Sequence, residues 1–82
     1  MVKVVFEKDF KQTFSKIKDN LLKQKIIKQV EKIKTNPKIG KPMKNLRKGT
    51  RELYINQFRL SYIFVPDKDR VYILDFYHKK KQ

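Results

Sequence analysis

With 82 residues and 39% apolar content, the chain can build one modest hydrophobic core, so a single domain over residues 1–82 is expected. Its 22 Lys and Arg against 8 Asp and Glu leave a formal charge of +14, carried by both halves, which calls for a polyanionic partner: nucleic acid or a strongly acidic protein. The absence of cysteine excludes disulfides and thiolate metal sites, the single histidine argues against zinc, and no apolar run nears the ~20 residues of a membrane span, so a cytoplasmic protein without metal, small-molecule cofactor or membrane is expected.

Residues 2–6 are β-branched and aromatic, predicting a short strand at an edge or beside a later strand. From Phe10 the apolar positions Phe10, Phe14, Ile17 and Leu21 recur at helical spacing. Asp19-Asn20 interrupts that pattern and supplies a cap for a second helix, in which Leu22, Ile26, Val30 and Ile33 form the stripe and Ile27 widens it. This helix is expected to stop near Lys34, because the residue before Pro37 avoids helical backbone. The two helices read as an antiparallel hairpin with one apolar side. Residues 37–49 then form a lysine-dense loop closed by Gly49, with Met43 and Leu46 as anchors or a short strand.

Residues 51–64 and 71–77 alternate with the period of strands. A two-residue turn at Asn56-Gln57 sets Ile55 opposite Phe58 and Tyr54 opposite Arg59. A second turn over residues 66–70 pairs Val65 with Val71, Ile63 with Ile73, Ser61 with Asp75 and Arg59 with Tyr77. Both hairpins therefore bring Tyr54, Arg59 and Tyr77 side by side. The opposite face collects Leu53, Ile55, Phe58, Leu60, Tyr62, Phe64, Tyr72, Leu74 and Phe76, and the helices are its natural cover. The expected fold is α+β, in the order β-α-α-β-β-β: an antiparallel-rich sheet of about four strands with the helical hairpin packed on one face.

At residues 40–64, GKPMKNLRKGTRELYINQFRLSYIF, and 71–79, VYILDFYHK, the chain resembles the RelE/ParE superfamily of toxin-antitoxin toxins. In that group a GKP-like loop, an LxGxRELRI-like strand, a YRLxY-like strand and a terminal V-x-I-L strand recur in this order. The resemblance implies a small sheet covered on one face by two helices, and a cognate antitoxin that wraps the toxin. In the RelE branch it implies a ribosome-dependent endoribonuclease acting on messenger RNA. Arg59 then matches the arginine that contacts the scissile phosphate. Lys79 falls where the branch carries a second arginine, and His78 where other members have a basic residue or histidine. Glu52 and Tyr54 stand where some members carry lysines, and the catalytic tyrosine of a C-terminal segment is absent. The ParE branch keeps the fold, lacks the nuclease set and inhibits DNA gyrase, which is the alternative reading, beside a nucleic-acid-binding member that has lost its chemistry.

Metal-free RNA cleavage needs a base for the 2′-hydroxyl, cations for the charge growing on phosphorus, and an acid for the leaving oxygen. Arg59 suits the cationic role through its planar, permanently charged guanidinium, with an ion pair to Asp75 or Glu52, or a cation–π contact with its tyrosine neighbours, as its structural alternative. Tyr54 and Tyr77 can stack on bases or donate a proton, or serve as cross-strand partners. His78 has a suitable titration range, but its parity with Phe76 aims it toward the helices; Lys79 shares the parity of Tyr77. Glu52 is read as an ion-pair partner. Lys41, Lys44, Arg47, Lys48, Arg51, Lys80 and Lys81 form a basic rim for RNA phosphates, while the helix lysines read as solvent faces.

Overall fold

The alternation of strand and helix periods is realised in the computed structural model, which describes residues 2–44 and 49–81, with the backbone alone at Lys81. Strand β1 (Lys3–Phe6) leads into helices α1 (Lys8–Lys16) and α2 (Asn20–Thr35), followed by β2 (Lys41–Pro42), β3 (Arg51–Ile55), β4 (Phe58–Val65) and β5 (Arg70–His78). The sheet order is β1-β5-β4-β3-β2, antiparallel except that β1 lies parallel to β5. There are five strands rather than about four, because Lys41 and Pro42 pair with Glu52 and Arg51. This added edge precedes Met43, whose N–H donates to Thr50 O at 3.0 Å; Leu46, the other expected anchor, lies outside the described residues.

The helices cover one sheet face, with Phe10, Ile26, Val30 and Ile33 buried against Leu60, Tyr62, Val71, Ile73 and Phe76. Asp19 caps α2 as its sequence position predicts, its carboxylate accepting from the N–H groups of Leu21 and Leu22 at 3.0 and 3.2 Å. Two expected stripe residues are corrected: Leu21 is 70% exposed and Ile27 52% exposed. Ile17 and Asp19 are extended, so the helical phase restarts at α2 and a residue in step with α1 no longer faces the core.

Ile55 pairs with Phe58 and Tyr54 with Arg59, as the two-residue turn requires. Asn56 supplies the positive φ, 56°, that glycine would otherwise provide. Between β4 and β5 the pairs Ser61–Asp75 and Arg59–Tyr77 also stand as expected. Beyond them the expected register fails by one residue: Val65 faces Arg70 and Tyr62 faces Ile73, leaving Leu74 as the extra residue of a bulge. The cause is the turn, a 3-10 segment at Pro66–Lys68 closed by left-handed Asp69, whose N–H donates to Pro66 O at 3.0 Å. Val65 and Arg70 therefore close the loop, and the bulge absorbs the excess. Its effect on packing is direct. Val71 and Ile73 enter the core, while Tyr72 and Leu74, expected there, are only half-buried.

The loop after α2 is tied to the sheet by one buried phenol. Tyr62 donates its hydroxyl proton to Pro37 O and accepts from the Gly40 N–H, both at 2.8 Å. A Cβ on Gly40 would lie 2.6 Å from that hydroxyl oxygen, so only glycine allows this approach. Among the described residues, no helix is long and apolar enough to cross a membrane.

Candidate functional site

Residues that alternate away from the core populate the sheet face opposite the helices, which no described element covers. Tyr54, Arg59 and Tyr77 occupy one cross-strand row of it, and Glu52, Ser61 and Asp75 the next. The small Ser61 lets side chains on β3 and β5 meet over β4: the Tyr77 hydroxyl donates to Glu52 Oε2. Arg59 Nη1 lies 3.4 Å from Glu52 Oε1, and its guanidinium carbon sits 4.8 Å from the centre of the Tyr54 ring. Glu52 is only 1% exposed despite its place on this face, and so depends on these partners to hold a charge out of water. The Arg59 side chain is 20% exposed and Tyr54 57% exposed. What reaches solvent is thus a guanidinium edge beside an open aromatic ring, a pairing suited to a phosphate with its neighbouring base.

The other proposed site residues are placed less uniformly. His78 pairs with Phe58, away from Arg59, and meets that ring edge-on at 5.3 Å. Its Nδ1 accepts from Lys80 N–H at 3.2 Å and Nε2 lies 3.1 Å from Gln57 Oε1, which assigns the ring proton to Nε2. Lys79 does not continue the strand to join Tyr77. It opens a 3-10 turn, its N–H donating to Gln57 O at 2.9 Å. Lys41, Lys44, Lys79 and Lys80 are exposed. Arg51 is diverted from the basic rim: its Nη1 donates to Gly40 O at 2.8 Å and Lys38 O at 3.1 Å, stapling the loop. Arg47, Lys48 and the Lys81 side chain lie outside the described residues.

Glu52, read from sequence as an ion-pair partner alone, is the hub of the cluster. Its alternation with Leu53 indicated the face, but nothing local indicated burial. Among the described residues no group of His, Cys, Asp and Glu is arranged to hold a metal ion.

A hollow lies on the helical side. It is a groove of about 800 Å³ between α1, α2 and β1, with Val2, Val4, Phe6, Phe10, Phe14, Ile26, Ile27 and Val30 in its walls and Lys3, Lys11, Lys34 and Glu31 among its lining.

A family model of the ParE toxin of type II toxin-antitoxin systems (parDE) matches residues 4–82. The chain belongs to the RelE/ParE superfamily of toxins. No curated protein sequence matches it. Among solved structures, the toxin is similar to a chain of the RelBE2 toxin-antitoxin complex from Mycobacterium tuberculosis at 20% identity and TM-score 0.84, covering 95% of this chain and 98% of that one. It is similar to a chain of the intact RelBE complex of E. coli at 12% identity and TM-score 0.80, covering 95% and 96%. The YoeB/ParE toxin from Agrobacterium tumefaciens matches at 17% identity and TM-score 0.82, covering 93% and 96%. At these identities the likeness speaks for the fold, and it agrees with the helix-covered sheet of this toxin.

Proposed function

We propose that this toxin arrests translation by cutting messenger RNA on the ribosome, using its open sheet face. The carrying observation is the Arg59 guanidinium stacked on the exposed Tyr54 ring, at the centre of a sheet in a chain of charge +14. Arg59 binds and stabilises the scissile phosphate, Tyr54 holds a base, and Lys41, Lys44, Lys79 and Lys80 contribute general attraction. Primer extension on messages from a translating extract tests the reading. New 5′ ends are expected only when ribosomes are present. Arg59→Lys, which keeps a charge beside Glu52 but loses the planar fork, is expected to lower cleavage roughly tenfold or more. Intact messages in an extract that the wild-type toxin has arrested would defeat it.

One observation favours a second reading. Glu52, the carboxylate nearest Arg59, is enclosed by Arg59 and Tyr77 and so is poorly placed as a base, and His78 lies on the other face. A member of the ParE kind that inhibits gyrase needs no such base. Gyrase-linked DNA damage with uncut messages is its signature.

The cognate antitoxin, on this reading, is an acidic chain that lays an amphipathic segment into the groove between α1, α2 and β1. Apolar walls with Lys3 and Lys11 among the lining, and Lys34 ion-paired with Glu31 at 3.8 Å, complement such a segment in shape and leave a net positive charge for it. Ile27→Asp puts a charge on a half-exposed groove wall, so it should leave the fold intact and weaken capture of the antitoxin by roughly a hundredfold. Undiminished capture in a calorimetric titration would move the antitoxin elsewhere.

A further inference from the structure

On the flank of α2 turned away from that groove, Lys25, Lys28 and Lys32 recur at helical spacing and span about 10.5 Å of axis. With Gln29 they form one wall of a hollow of about 220 Å³; Tyr54, Ile55 and Asn56 form the other. All three lysines are exposed, no acidic residue is in the described lining, and Lys25 Nζ reaches Asn56 Oδ1 at 3.4 Å. Like charges this close on one helix side repel, so the row weakens α2 until a polyanion meets it. The hollow is also continuous with the cluster described above. Among the described residues β2 pairs with Arg51 and Glu52 and nothing pairs with the outer edge of β3 at Tyr54, whose ring carries Arg59.

We infer that this hollow is a track for the phosphodiester backbone of single-stranded RNA, leading from the Tyr54–Arg59 pair around the β3 edge onto α2. The inference rests on the RNA reading of the open face and extends it to residues that serve no core contact. An aromatic ring and a guanidinium receive one nucleotide, and the ammonium groups beyond receive the phosphates that follow. Lysines position a backbone without reading bases, so the track adds affinity and direction rather than sequence preference.

The test compares two full-length variants of equal charge: Lys25→Gln/Lys28→Gln/Lys32→Gln, and Lys8→Gln/Lys16→Gln/Lys18→Gln on exposed positions elsewhere. Binding of an unstructured oligouridylate is measured across a salt series. The α2 variant is expected to bind roughly tenfold more weakly at low salt, with the slope of log K against log salt reduced by about 2, as three lost single-strand contacts require. The second variant should keep the wild-type slope. Equal slopes in the two variants overturn the track, as does a wild-type protein whose oligouridylate binding is insensitive to salt. An α2 variant that keeps RNA binding but loses capture of the acidic antitoxin overturns it in favour of a protein partner. Message cleavage is scored in parallel to keep the two readings apart. Cleavage with equal slopes removes the track alone; a slope difference without cleavage supports the track and removes the nuclease reading alone.

Discussion

Leucine at Arg59 alone is expected to destabilise the toxin by about 3 kcal/mol, lowering Tm by roughly 15 °C, whereas leucine at both Glu52 and Arg59 is expected to restore most of the loss. The single change takes the guanidinium from a carboxylate that is 1% exposed and leaves the Tyr77 hydroxyl and its other contacts in place, which sets the cost at the low end for a broken buried pair. The double change removes both charges from a site already enclosed by neighbouring strands, and such replacements are commonly close to neutral. Urea denaturation of the two variants reads the effect directly. A single variant as stable as wild type would show that Glu52 does not depend on Arg59. The double variant also separates folding from function, because it is expected to be folded yet unable to arrest translation. Arrest by that folded protein would remove Arg59 from the active surface.

Tyr62→Phe is expected to cost about 3 kcal/mol, since it removes one oxygen and strands two backbone groups, the Gly40 N–H and the Pro37 carbonyl. The same substitution should change the response to alkali. Burial raises the Tyr62 pKa above the usual 10.0, opposed by the hydrogen bond from Gly40 and the charge of Arg51. The folded protein therefore keeps the phenol proton at a pH where the unfolded chain has begun to release it. That contribution is complete below about pH 10 and is lost as pH rises through the raised folded value. Wild type should lose stability on that limb faster than Tyr62→Phe. Urea midpoints that fall in parallel for both proteins would assign the alkaline loss to other groups.

The loop held by Tyr62 also shows how far chemistry can be read from residue type. Arg51 belongs by composition to a basic rim, yet two loop carbonyls claim its guanidinium. Lys25, Lys28 and Lys32 show the reverse. Their spacing identifies one helix flank, but only the placement of α2 against the β3–β4 turn gives that flank an opposing wall.

By itself the sequence determined what depends on near neighbours: the helical stripes apart from Leu21 and Ile27, the Asp19 cap, the Asn56 turn, and the alternation that sets Tyr54, Arg59 and Tyr77 in one row. Tertiary structure decided which residues beyond the Leu74 bulge enter the core, since the turn at Pro66–Asp69 sets the register of β5 and the strand is packed against β1 and α1 in that register. It also decided that Glu52 and Ser61 are enclosed on the face whose Tyr54 ring is open to solvent. Periodicity says which side of a strand or helix a residue occupies; what stands across from it is set only when distant segments meet, and burial and charge pairing both depend on that meeting.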